Sequence, residues 1–209
     1  MPPCTQLIFD EARSKRARRR SLNMLEIRWH GRGGQGAVTA SEIIASASII
    51  EGKYALAFPE FGAERRGAPV RAYTRITDSP LIPRTPIERP DVVVVLDRSL
   101  LKPTYIEGLK EGGTLVANSP LKPAELLEKL GLGGGKYRAA TVDASSIAMK
   151  WLKANIVNTA ILGAFVKSTE LVKLDTVLDV IRSRFHGKVA EANMMAVKEA
   201  YESTQLSWG

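Results

Sequence analysis

The chain has 209 residues, 44% hydrophobic and 25% charged, which is long enough to bury one core and too balanced for a disordered or fibrous class. Half of its net charge of +8 comes from residues 1–23, with six basic residues and two acids. A surplus of that kind suits an anionic ligand or an acidic partner and does not by itself argue for nucleic acid. Cys4 is the only cysteine, so a disulfide framework and a cysteine-ligated iron–sulfur cluster within the chain are excluded. His30 and His186 are too few for a metal cage. The longest apolar runs, such as Val92 to Leu96, are too short to span a bilayer, and a cytoplasmic protein is expected.

Residues 1–23 place a basic block after a short apolar patch, the reverse of a secretory signal. They are expected to be a disordered basic extension, with the folded domain covering 24–209. Leu25 to Trp29 alternates apolar and polar residues and reads as the first strand. Gly31 to Gly36 form a turn, and Ala37 to Glu51 read as a helix of small residues ended by Gly52. Tyr54 to Phe58 is a short strand stopped by Pro59. Val70, Ala72, Thr74 and Ile76 alternate with Arg71, Tyr73 and Arg75, as in an antiparallel or edge strand.

Val92 to Leu96 is a continuous apolar run, expected of a strand buried on both faces. Leu115 to Ala117 and Tyr137 to Val142 supply two more strands, with helices predicted over Leu100 to Leu109 and Ala124 to Leu130. From Asp143 onward the pattern is helical. Asp143 or Ser145 is the predicted cap, and Leu174, Val177, Leu178, Ile181 and Phe185 share one helical face. The fold class is α/β: a three-layer α/β/α sandwich around a mixed, mainly parallel sheet.

Two segments carry chemistry. Gly31-Arg32-Gly33-Gly34-Gln35-Gly36 matches GxGxxG between a strand and a helix, where backbone N–H groups face an anion. A dinucleotide site also needs an acid at the tip of the second strand, but that strand ends in Pro59 and Glu51 falls on the helix. A free-standing NAD(P)-dependent Rossmann-type oxidoreductase is therefore the alternative reading. The second segment, residues 59–67, sets Glu60, Glu64, Arg65 and Arg66 in a loop between two apolar segments, where Gly62 and Gly67 allow sharp turns. Arginines there suit bidentate binding of phosphate or carboxylate, while Glu64 orients a guanidinium; a solvated charged loop is the equally weighted bland account. Gly131 to Gly135 lacks the first glycine and the Ser/Thr of a P-loop, so it reads as a connection.

Other polar positions have two readings each. Asp97 and Asn118 end strands at the edge where α/β sheets bind ligands, and both also suit helix caps. Asn158 lines a site or caps a helix, and Asn193 is expected to be a buried, satisfied amide. His30 adjoins the glycine turn as a hydrogen-bond donor. No nucleophile–base pair is evident, so no catalytic residue is assigned.

Taken together, GRGGQGAVTASEII, FPEFGAERRGAPVRAYTRI, RPDVVVVLDRSLL, VDASSIAMK and NIVNTAILGAF resemble the gamma subunit of pyruvate (2-oxoacid):ferredoxin oxidoreductase. The resemblance spans residues 24 to about 203 and implies alpha, beta and delta partner subunits. It also implies thiamine diphosphate and 4Fe-4S clusters held by those partners, and ferredoxin as electron acceptor. No nucleic-acid or membrane partner is implied. The loop looks closest to the pyruvate and branched-chain 2-oxoacid enzymes. A subunit of this kind is silent alone and holds no cofactor by itself, but contacts coenzyme A. Gly31, Arg32, Gly33, Gly34, Gln35, Gly36, Glu64, Arg65, Arg66 and Gly67 are the candidate binding residues under that resemblance.

Overall fold

A computed structural model describes residues 24–60 and 67–207. The expected basic extension, Glu64, Arg65 and Arg66 lie outside the described residues. The strands are β1 (Leu25–Arg32), β2 (Tyr54–Pro59), β3 (Pro69–Thr77), β4 (Val92–Val95), β5 (Thr114–Asn118), β6 (Arg138–Val142) and β7 (Gln205–Ser207). They form one sheet in the order β2-β3-β1-β4-β5-β6-β7. β1, β4, β5 and β6 are parallel neighbours, whereas β3 is antiparallel to both β1 and β2, and β7 is antiparallel to β6. The two-faced pattern of β3 is thus explained by its direction, as its alternation led us to expect.

The helices are α1 (Ala37–Ile50), α2 (Pro103–Ile106), α3 (Pro123–Lys129), α4 (Ala144–Leu152), α5 (Ala160–Thr169), α6 (Leu174–Arg184) and α7 (Gly187–Ser203). α1 and α4 to α7 cover one face, packing on Ile27, Trp29, Val92 and Val94. α2 and α3 cover the other, over Val93, Val95, Leu115 and Ala117. The result is the expected three-layer sandwich, with the core split by the sheet. On the five-helix side, Trp29 stacks at 5.3 Å on Phe165 and donates to Thr74 Oγ1 at 2.9 Å. Gly163 lets α5 and α7 cross closely, since a Cβ there would collide with the Val197 carbonyl oxygen.

Two expectations are corrected. The chain beyond Asp143 is not wholly helical: Gln205 to Ser207 return to the sheet as β7. Three residues carry too little periodicity to be read as a strand. The helix predicted over Leu100 to Leu109 breaks into a 3₁₀ turn, Arg98–Leu100, and the single turn α2. Pro103 contributes no N–H, and Arg28 draws the Tyr105 and Glu107 carbonyls away from helical bonding, at 3.3 and 2.5 Å.

Arg28 and Arg75 are buried on the two-helix side, 8% and 3% exposed, where sequence alternation alone suggested solvent. Both hold the long segment 78–91 against the sheet. Arg75 donates to the carbonyls of Pro83 and Thr85 at 2.7 and 2.6 Å and pairs with Glu26 at 3.0 Å. Arg28 donates to the carbonyls of Ile87 and Glu88 at 3.4 and 3.3 Å. Replacing Arg28 by Met keeps the packing but strands four carbonyls. We expect a loss of about 3 kcal/mol in unfolding free energy, read from the urea midpoint.

Candidate functional site

β1 and β4 are parallel neighbours whose outgoing connections part company. The chain leaving β1 enters α1 on the five-helix face, while the chain leaving β4 enters the 3₁₀ turn and α2 on the opposite face. Such a divergence opens a crevice at the carboxyl ends of the strands. Gly31 to Gly36 form one lip and Asp97 to Ser99 the other.

Side chains bridge this crevice. Gln35 Oε1 accepts from the Arg32 N–H at 2.8 Å, and Gln35 Nε2 donates to Asp97 Oδ2 at 2.6 Å. Asp97 Oδ1 accepts from the Ser99 N–H at 2.9 Å and the Ser99 hydroxyl at 2.5 Å. The Ser99 hydroxyl in turn accepts from Arg32 Nε and Nη2 at 3.2 and 2.7 Å, and Arg32 Nη1 donates to the Gly67 carbonyl at 2.9 Å. Of five guanidinium N–H groups, two find no acceptor among the described residues. Burial pushes the Asp97 carboxyl up, but the bonds from Ser99 and Gln35 and the nearby Arg32 charge outweigh it and hold Asp97 below its ordinary range.

Of the sequence-predicted residues, Gly31 to Gly36 and Gly67 gather in one place. Gly33 donates to the Ala68 carbonyl at 2.8 Å and accepts from the Gly67 N–H at 3.2 Å, which lays the end of the second segment on the turn. Gly34 and Gly36 adopt φ of 92° and 79°, which disfavours any side chain. Gly36 has a second requirement: a Cβ would stand 2.5 Å from Asn158 Nδ2. Gly31 packs closely on Ala37 and Leu96. α1 has no side-chain cap, so the N–H groups of Ala37, Val38 and Thr39 find no acceptor among the described residues. Asn158 also lines an open groove of about 380 Å³ with Trp151, Ile156, Phe185 and Val189.

Several flagged residues resolve into structural roles. Asp143 caps α4 through the Ser146 N–H at 3.0 Å and pairs with Arg98 across the strand ends. Asn118 accepts from the Ser145 N–H at 3.3 Å and donates to the Leu96 carbonyl at 2.8 Å, tying β4, β5 and α4 together. Asn193 is buried and satisfied, accepting from Thr159 Oγ1 at 2.7 Å and donating to the Val189 carbonyl at 2.7 Å. His30 gives no bond to the glycine turn. It points to the two-helix face, 1% exposed, and accepts from Arg28 Nε at 3.0 Å. Its Nδ1 has no partner among the described residues. Among those residues, no three acidic, His or Cys side chains converge as metal ligands.

The dinucleotide alternative fails on topology. The ribose-binding acid belongs at the tip of the strand that follows the helix, lying parallel to β1 on the side away from β4, but β3 occupies that place and runs the other way. The strand that follows α1, β2, lies beyond β3 at the sheet edge. Glu51 is the C-cap of α1 and accepts from the Lys173 N–H at 2.7 Å.

Residues 26–203 match the family model of the pyruvate ferredoxin/flavodoxin oxidoreductases. The chain belongs to that family. Within the pyruvate ferredoxin/flavodoxin oxidoreductases, it is 53% identical to the pyruvate/ketoisovalerate oxidoreductases common subunit gamma of Pyrococcus abyssi, covering 88% of this chain and 98% of that one. It is 48% identical to the pyruvate synthase subunit PorC of Methanothermobacter thermautotrophicus, over 87% of this chain and 97% of the relative. The solved pyruvate oxidoreductase subunit PORC of Thermotoga maritima superposes with a TM-score of 0.78 at 42% identity, covering 88% and 98% of the two chains. A 2-oxoglutarate:ferredoxin oxidoreductase of Magnetococcus marinus shares the fold at a TM-score of 0.69 and 21% identity, with 89% of this chain matching 32% of that one. The Pyrococcus, Methanothermobacter and Thermotoga subunits are thus matched over nearly their whole lengths, and the Magnetococcus chain over about a third.

Ser99 escaped the sequence reading as a site residue. Its signal was the Asp-x-Ser pattern at a strand end, where the carboxylate turns back on the Ser99 N–H. The Gly36–Asn158 contact had no signal, because it joins residues far apart in the chain.

The turn makes a graded prediction. Gly36→Ala adds a steric clash to an unfavourable φ and is expected to cost about 3 kcal/mol, whereas Gly34→Ala, with open space around it, costs about 1 kcal/mol; urea denaturation ranks the two. His30 makes another. Burial, reinforced by Arg28 and Arg71, lowers its imidazole from 6.5 to about 3. The unfolded chain therefore takes up a proton below the ordinary value that the folded chain refuses, and stability falls as pH drops through that window. His30→Gln, which still accepts from Arg28 but does not titrate, is expected to flatten the slope by up to about 1.4 kcal/mol per pH unit between roughly pH 6 and 5, above the carboxylate range. Denaturant unfolding across that range measures it.

Proposed function

We propose that this chain is the gamma subunit of a cytoplasmic, multi-subunit pyruvate or branched-chain 2-oxoacid:ferredoxin oxidoreductase. In that assembly it serves the oxidative decarboxylation of a 2-oxoacid to an acyl-coenzyme A, with ferredoxin as electron acceptor. Alpha, beta and delta subunits are its partners and hold thiamine diphosphate and the 4Fe-4S clusters. One cysteine at position 4 and no gathered metal ligands among the described residues suit a chain that leaves redox chemistry to its neighbours. The family match begins at residue 26, which supports Met24 as the opening of the folded unit and residues 1–23 as an extension apart from it.

The observation that carries the site reading is the Arg32 guanidinium, held at the crevice, where two of its N–H groups and the first N–H groups of α1 find no acceptor among the described residues. That combination suits a phosphate of coenzyme A. Arg65 and Arg66 are assigned to the same ligand because they directly precede Gly67, which is bonded to both Gly33 and Arg32. Glu64 is assigned to orienting those guanidinium groups. In the assembled enzyme, Arg32→Ala and the double change Arg65→Ala/Arg66→Ala are each expected to raise the KM for coenzyme A about tenfold or more, with kcat much less affected. Unchanged KM values with intact assembly would remove this site from the reading. The separated chain is expected to turn over no 2-oxoacid.

A further inference from the structure

We propose that Asp97 is a positioning residue that fixes the aim of Arg32 and the shape of the glycine turn through Ser99 and Gln35. This rests on the reading of the crevice as the anion site and adds how its arginine is held.

The argument is one of hydrogen-bond polarity. A relay of two side chains, Asp97 and Gln35, spans from the lip after β4 to the lip after β1. Each end terminates on a backbone N–H, Ser99 at 2.9 Å and Arg32 at 2.8 Å. A backbone N–H only donates, so both ends of the relay must accept. The middle contact, at 2.6 Å, then needs one donor and one acceptor. Asp97 accepts at both ends and Gln35 accepts at one and donates at the other, which satisfies every position. The Gln35 amide orientation follows from the Arg32 N–H and admits no flip.

The relay also fixes the guanidinium. Asp97 Oδ1 accepts a hydrogen bond from the Ser99 hydroxyl at 2.5 Å, which turns the hydroxyl lone pairs toward Arg32 Nε and Nη2. Asp97 Oδ2 stands 3.6 Å from Arg32 Nε and offsets part of its charge. Arg32 therefore reaches the crevice already oriented, held on one side by Ser99 and on the other by the Gly67 carbonyl. Asp97 commits its oxygens to Ser99 and Gln35 and acts on a ligand only through them.

Polarity gives a test that size and packing do not. Asp97→Asn keeps the bond from Ser99 but turns a second N–H onto Gln35 Nε2. Gln35→Glu keeps the bond from Arg32 but sets two carboxylates against each other. The pair together, Gln35→Glu with Asp97→Asn, restores a consistent relay with the same net charge: the carboxylate, now at position 35, accepts at both ends, and the amide, now at position 97, donates between them. The four forms and Arg32→Ala are compared in the assembled enzyme for KM and kcat with coenzyme A, and as full chains for melting temperature. Each single change is expected to raise KM about tenfold, with kcat moved less, and the double change is expected to bring KM back to within about threefold. Recovery of melting temperature without any change in KM across the four forms, while Arg32→Ala does raise KM, would make the bridge merely structural and overturn the inference alone. Raised KM in the singles that the double change fails to recover, despite a recovered melting temperature, would overturn it as well. No effect of Arg32→Ala on KM would take down the anion-site reading together with this refinement.

Discussion

The space refused to a side chain at Gly36 is the constraint around which this molecule is arranged. Asn158 lies where that Cβ would be, so the turn after β1 and the entry to α5 meet at backbone distance. Thr159, the next residue, bonds Asn193 on α7, and Gly163 one turn later lets α7 lie against α5 with its own backbone. Three contacts within six residues thereby lock the glycine turn to the helical layer beneath it. The geometry of the turn is thus tied to the packing of α5 on α7.

This arrangement explains why a GxGxxG sequence here does different work from a dinucleotide fingerprint. In such folds the turn leaves room for a pyrophosphate and the neighbouring strand offers an acid to the ribose. Here antiparallel β3 takes the neighbouring place, and the acid at the next tip, Asp97, is occupied by Ser99 and Gln35. What remains outward-facing is positive: part of Arg32 and the first N–H groups of α1.

Much of the fold was legible because its elements carry strong local signals. Val92 to Leu96 read as a strand buried on both faces, and the alternation at Val70 to Ile76 read as an antiparallel or edge strand, both as found. Asp143 was readable as a cap because its side chain bonds only three residues ahead. The residues of the turn were readable for the same reason. What sequence concealed was long-range. Arg28 looked like the solvent-facing residue of an alternating strand, yet carbonyls from two distant segments bury it. The same burial turned His30 from a donor at the turn into a neutral acceptor beneath Tyr105. β7 was hidden because an edge strand of three residues borrows its conformation from β6 and encodes little of it.

The placement of β2 at the outer margin has a bearing on behaviour in concentrated solution. Its Glu60 N–H bonds inward to the Arg71 carbonyl, so Tyr54, Leu56 and Phe58 also direct their backbone toward β3. Only Ala55 and Ala57 turn a full set of backbone groups outward before Pro59, which has no N–H, interrupts the row. A stray strand arriving there finds two residues to zip onto and then a missing donor. The long margin of this sheet is in effect blunted by its own proline, a safeguard against runaway stacking written into the same six residues that finish the sheet.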